Sequence, residues 1–201
     1  MITWKRRTMT LGLDFEKYLA IDRLSNSSLK SIQKEFKMTE KIQFGKEVDE
    51  ILTNPEYISQ NNEARRVAAT LTNTFGDLIN HCHAQVSAFA TAVHEESGLQ
   101  LPLKTRPDFV LMGSGGKSPR ITIDLKVSAE RVVNFRNVLE FMGWDKQCYL
   151  HRKLCNAPTS YLLIYSRPDK TAKLLKQTED FDYWMEEVIF DYGKMPKGLF
   201  I

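Results

Sequence analysis

Residues 106–128 read RPDFVLMGSGGKSPRITIDLKVS, and the folding of this stretch decides the architecture around it. A short apolar run at 109–112 follows Asp108, and a second segment alternates Ile121, Ile123 and Leu125 against Thr122, Asp124 and Lys126. A period of two is the signature of a strand, so Asp124 and Lys126 fall on one face of the same strand. The GSGGKS segment at 113–118 invites a phosphate-loop reading. It fails on spacing, because the first glycine of that motif belongs at position 111, which is Leu111, and on context, because Pro119 and a strand follow where a helix is needed. The glycine-rich segment therefore reads as the flexible connection of a β-hairpin.

A hairpin gives Asp108 and Asp124 a meaning that their separation in sequence hides. Adjacent antiparallel strands bring such residues within one ligand sphere. Two carboxylates there make a hard-oxygen site suited to Mg²⁺ or Mn²⁺. Lys126, on the same face as Asp124, is placed to orient or help deprotonate an attacking water and to offset phosphate charge. Such a set suits phosphodiester hydrolysis. The same residue types also fit a surface hairpin with ordinary cross-strand ion pairs.

Outward from the hairpin, the first half of the chain reads as helical. Ser27 is placed to cap a helix in LSNSSLKSIQKEF, and EKIQFGKEVDEILTNPE sets Ile42, Val48, Ile51 and Leu52 at helical spacing and stops before Pro55. NNEARRVAATLTNTFGDLINHC, 61–82, is a longer amphipathic helix. Strand-like runs flank the turn EESG before the hairpin. Helical periodicity returns over 129–155, followed by a buried strand at 159–166, a possible partner strand at 170–177 and a closing helix at 178–193.

The 201 residues suit one domain, and no run of about 18 apolar residues or apolar leader marks a membrane span or secretory signal, so a cytoplasmic protein is expected. Three cysteines form an odd, widely spaced set that suits a reducing compartment and is too small for a four-thiolate iron–sulfur cluster. His81-Cys82-His83 reads as a packed or surface segment, since neighbours in one element point different ways. The net charge of +3, from 28 basic and 25 acidic residues, is too small to argue nucleic-acid binding in bulk. Local basic positions around the hairpin, Lys104, Arg106, Lys117, Arg120 and Arg131, are the candidates for contact with DNA, and WKRR at 4–7 is a further basic cluster.

Pro107-Asp108, a gap, and Asp124-Leu125-Lys126 resemble the signature of PD-(D/E)XK nucleases. The likeness extends over roughly residues 24–155. LSNSSL at 24–29 is similar to the serine-containing N-terminal motif of RecE-type, lambda-exonuclease-like phage recombination nucleases, and FGKEVDEILTNPE at 44–56 to their helix ending in PE. QVSAFATAVHEESGLQLPLKTRPDFV resembles the two strands leading into the PD motif, and GWDKQCYLHR the following glutamine-bearing helix. The resemblance implies a single α/β domain with a restriction-endonuclease-like core. In it a mixed central sheet is flanked by helices, with a helical N-terminal part at about 12–84 and a catalytic sheet with helices at about 85–193. It implies Mg²⁺ or Mn²⁺ held by Asp108, Asp124 and the backbone carbonyl of Leu125, with Lys126 positioning water and Gln147 supporting the site. It also implies linear duplex DNA as substrate, a single-strand annealing protein as partner, and a homo-oligomeric ring in a bacterial or phage-infected cell. Three positions depart from the pattern. Asp49 stands where a metal-binding histidine is common and still offers an oxygen ligand. Gln85 replaces a glutamate and offers only a neutral carbonyl. His151 stands in place of a tyrosine and, at i,i+4 from Gln147, reads as its surface partner.

Overall fold

A computed structural model describes residues 1–31, 40–116 and 118–194. In chain order these form β1 (Ile2–Thr10), α1 (Phe15–Ala20), α2 (Asn26–Ser31), α3 (Glu40–Thr53), α4 (Asn62–Ile79), β2 (Cys82–Ala84), β3 (Ser87–His94), β4 (Gln100–Thr105), β5 (Phe109–Met112), β6 (Pro119–Ser128), α5 (Phe135–Met142), α6 (Trp144–Cys155), β7 (Thr159–Ser166), β8 (Thr171–Gln177) and α7 (Asp182–Lys194). Five strands make a mixed sheet in the order β2-β5-β6-β7-β8, and three make an antiparallel sheet in the order β1-β3-β4. This is the α/β arrangement expected from the sequence, a mixed central sheet flanked by helices.

The hairpin is present. β5 and β6 pair antiparallel with Phe109 opposite Ile123 and Leu111 opposite Ile121. β6 then pairs in parallel with β7, and a parallel neighbour requires a crossover, here α5 and α6. With a strand on either side and helices above and below, β6 is buried through its middle. Its apolar residues Ile123 and Leu125 join Val48, Val67, Leu71 and Leu163 in the core under α3 and α4. The opposite face carries Thr122, Asp124 and Lys126 toward α6, so the period-two reading of this strand holds.

Four sequence expectations change. β1 is a strand missed in WKRR. It is an edge strand whose register shifts between Lys5 and Thr8, with Arg6 in the left-handed region at φ 55°, so its apolar alternation is broken where the chain bulges. β2 places residues 82–84, assigned to the helical part, in the central sheet. The helix at 129–155 is two helices, because Gly143 adopts φ 63° and ψ 33° and caps α5 with its N–H on Glu140. Finally, α2 already includes Ser27, so Ser27 is not its N-cap; the hydroxyl of Ser25 accepts the Ser28 N–H at 3.3 Å.

Candidate active site

The site forms where β5 gives out beside β6. The register of the hairpin ends with Phe109 opposite Ile123, so Asp108 lies just before β5 and beside Asp124 and Leu125. Leu125 has no β5 residue opposite it, and its N–H donates to Asp108 Oδ2 at 2.6 Å. A strand residue directs its carbonyl to the same edge as its N–H, so the Leu125 carbonyl faces this gap too.

Asp124 is 2% exposed and is the most heavily partnered group. Its Oδ1 accepts from Gln147 Nε2 at 3.0 Å and from His151 Nε2 at 3.1 Å, both on α6, and its Oδ2 is ion-paired with Lys126 Nζ. Burial alone would raise the Asp124 carboxyl, but Lys126 and His151 outweigh it and hold the group at about 2. Lys126 shows the converse: burial works against its charge, while Asp124 and Asp108 raise its pKa above the usual lysine value. Asp108 has little of this help. Burial first, then repulsion from Asp49 and Asp124, push its carboxyl well above the usual range, and Lys126 and the Leu125 N–H only partly offset them.

Asp49, on α3, reaches the same carboxylate group. Its Oδ2 accepts from Gln85 Nε2 at 3.2 Å. The Thr53 hydroxyl spends its proton on the Asp49 backbone carbonyl at 2.8 Å and so can only accept from Gln85 Nε2, at 3.2 Å. This fixes which end of the Gln85 amide faces Asp49: the nitrogen. Burial, followed by the charges of Asp124 and Glu50, raises Asp49 to about 6 against the pull of Lys126 and Gln85. Its Oδ1 is buried without a hydrogen-bond partner.

Among the described residues no three His, Cys, Asp or Glu side chains group closely enough to hold a metal by themselves. A cation here therefore needs a carbonyl and water beside the carboxylates, which is how Mg²⁺ is commonly held. The donor set fits that requirement. Two carboxyls are displaced upward, first by burial and then by neighbouring carboxylates, the Asp49 Oδ1 is buried without a hydrogen-bond partner, and a backbone carbonyl faces the same gap.

The structure thus brings together Asp49, Asp108, Asp124, Leu125, Lys126 and Gln147. Gln85 is beside them but turns its nitrogen to Asp49, so its contact is that of a donor to a ligand candidate. His151 is the residue misjudged from the sequence: it is 2% exposed, not a surface partner of Gln147, and its Nδ1 lies 2.6 Å from Thr105 Oγ1. The i,i+4 spacing from Gln147 was its only signal, and that spacing puts both side chains on the face of α6 that meets Asp124.

The basic candidates scatter. Lys104 is 6% exposed and donates to the carbonyls of Tyr18, Leu19 and Ile21 at 3.0, 3.0 and 2.9 Å, so its ammonium caps α1 and does not face a ligand surface. Arg106 stacks over Phe15 and Tyr18, with its guanidinium 5.3 and 5.7 Å from their ring centres. Arg120 is exposed near the hairpin turn, Arg131 is exposed after β6, and Lys117 lies outside the described residues. No helix among the described residues is long and apolar enough to cross a membrane.

No family model matches the chain, and no curated protein matches it in sequence. Among solved structures it is similar to SSO0001, at 14% identity and a TM-score of 0.42, over 82% of this chain and 79% of that one. It is also similar to LHK-Exo, an alkaline exonuclease from Laribacter hongkongensis, at 9% identity and a TM-score of 0.44, over 89% of each chain.

Proposed function

We propose that this chain is a metal-dependent deoxyribonuclease, and that it acts as an exonuclease on linear duplex DNA in phage-type recombination or DNA processing. The observation that carries the reading is the group formed by half-buried Asp108, buried Asp124 and half-buried Lys126 at the open end of β5, with Asp49 alongside. A purely structural ion pair needs one carboxylate for one lysine. Here Asp124 already pairs with Lys126, yet Asp108 and Asp49 stand within the same electrostatic group, both raised first by burial and then by neighbouring carboxylates.

Asp108, Asp124 and the Leu125 carbonyl would hold Mg²⁺ or Mn²⁺, with Asp49 as a further oxygen donor. When bound, such an ion supplies Lewis-acid stabilisation of phosphoryl charge and acidifies water. The chain's own groups do the rest. Lys126, ion-paired with Asp124, is a fixed cation that orients an attacking water and offsets the charge gathering on the phosphate. Gln147 holds the Asp124 carboxylate so that this geometry exists before substrate arrives. Gln85 holds Asp49 in the same way. A ring of copies around DNA would supply processivity that the modest charge does not, and a single-strand annealing protein would take up the strand left behind. A structure-specific endonuclease would use the same groups. The neutral amide of Gln85, beside Asp49 where another carboxylate would strengthen cation binding, favours one further reading, a non-catalytic DNA-binding or inhibitory protein.

Linear and closed circular duplex DNA, each with Mg²⁺, Mn²⁺ or chelator, separate these readings when wild type is run beside Asp124→Asn and Lys126→Met. Metal-dependent loss of the linear form alone, reduced at least about a hundredfold in both variants, is the expected result. Cleavage of both forms identifies an endonuclease. No cleavage by folded wild type overturns the catalytic reading.

A further inference from the structure

His151 lies one turn beyond Gln147 on α6, and both donate to the same oxygen of Asp124, at 3.1 and 3.0 Å. An ionised carboxylate offers only acceptors, so His151 Nε2 carries its hydrogen toward Asp124. The other ring nitrogen faces the Thr105 hydroxyl at 2.6 Å. Thr105 ends β4, so this contact ties the three-stranded sheet to the helix that holds Asp124. His151, Thr105 and Asp124 are each at most 2% exposed, and ring and carboxylate are therefore fixed by packing as well as by hydrogen bonds.

The consequence is a count of free oxygens. Two donors occupy the two in-plane lone pairs of Asp124 Oδ1, leaving Oδ2 on the side of Lys126. Asp108 is restricted less, because the Leu125 N–H takes only one lone pair of its Oδ2. Asp124 then presents one oxygen, Oδ2, which it shares with Lys126. Ca²⁺ gathers six to eight oxygens and often takes carboxylates through both of theirs, whereas Mg²⁺ and the similar Mn²⁺ use few carboxylate oxygens and retain water.

We propose that His151, braced by Thr105, is a positioning residue that confines Asp124 to one available oxygen and thereby sets the site's preference for Mg²⁺ and Mn²⁺ over Ca²⁺. This role rests on the nuclease reading above, but it concerns cation choice and is read without DNA. Titration calorimetry of chelator-stripped protein with Mn²⁺ and with Ca²⁺ tests it, comparing wild type with His151→Leu, His151→Gln and Thr105→Val. Wild type binds Mn²⁺ more tightly than Ca²⁺, and His151→Leu lowers that preference about tenfold, within the usual effect of removing a hydrogen-bond partner of a metal ligand. His151→Gln keeps an N–H donor and recovers most of the preference, while Thr105→Val, which removes only the hydroxyl, shifts it in the same direction by less.

If the Mn²⁺ to Ca²⁺ ratio stays at the wild-type value in folded variants, whether both affinities hold or fall by a common factor, His151 is a packing residue and the proposal is overturned. Should His151→Leu fail to fold by circular dichroism, Thr105→Val decides the question. Folded wild type that binds neither cation removes this inference and the nuclease reading together. Metal-dependent cleavage with an unaltered ratio removes this inference alone.

Discussion

Asp49 gathers the electrostatics of the site into one side chain. Its carboxyl is raised from 3.8 to about 6, chiefly by burial, so folding penalises its charged form. A carboxyl whose folded pKa lies above its unfolded value costs stability at neutral pH and gives that cost back as pH falls through the folded value toward the unfolded one. Asp108 acts in the same direction, whereas Asp124, held at about 2, stabilises the fold above 3.8 and loses that contribution only below it. Metal-free protein in chelator is therefore expected to melt at a higher temperature near pH 5 than at pH 7. Asp49→Asn flattens that dependence, and differential scanning calorimetry across this range is the measurement. Gln85→Glu tests the same crowding from the other side. A carboxylate facing Asp49 in place of the donor at 3.2 Å lowers the melting temperature of the metal-free protein at pH 7 and tightens Mn²⁺ binding in calorimetry. Unchanged values for both would place position 85 outside the electrostatics of the site.

At the level of elements, what could be read from the sequence follows from which signals are local. β6 was legible because its polar and apolar residues alternate without interruption, and the same alternation assigned Asp124 and Lys126 to one face. α3 and α4 were legible because their apolar positions recur at helical spacing. β1 was not, because an edge strand tolerates Lys5, Arg6 and Arg7, and its partner β3 lies some eighty residues away. The break between α5 and α6 was hidden because a lone glycine inside a helical pattern fits either a tolerated weakness or a left-handed cap. Gly143 is the cap, and it fixes the start of the helix that carries Gln147 and His151. An alanine at φ 63° bears a left-handed backbone penalty of about 1–2 kcal/mol. Gly143→Ala is therefore expected to lower stability in urea by roughly that amount, with no loss beyond about 0.5 kcal/mol for Gly45→Ala, whose added Cβ would meet nothing within 4 Å on α3.

For the whole molecule, Asp108, Asp124, Lys126 and Gln147 are singled out in the sequence by short motifs separated by variable gaps, and the fold brings them together. The surface that meets a ligand has no such marker. Nearness in sequence suggested a basic surface around the hairpin, yet folding disperses its members. The ammonium of Lys104 is enclosed by three carbonyls of the α1 segment. Arg120 and Asp124 are separated by about 13 Å along β6, and Arg131 is exposed beyond the strand's end. These different settings lead to different expected outcomes when DNA affinity is followed against salt. Each cation that neutralises a phosphate releases counterions, so its loss reduces the slope of log affinity against log salt by about 1. Arg120→Gln and Arg131→Gln are each expected to reduce the slope by about that amount and leave the melting temperature within a degree or so of wild type, since both side chains are exposed. Lys104→Gln is expected to do the opposite, lowering the melting temperature through the loss of the α1 cap while leaving the slope unchanged in protein that remains folded. Fluorescence anisotropy with a short labelled duplex, at several salt concentrations in chelator, measures all three. A slope that falls for Lys104→Gln and holds for both arginine variants would mean that DNA lies against the α1 side of the molecule and not along β6.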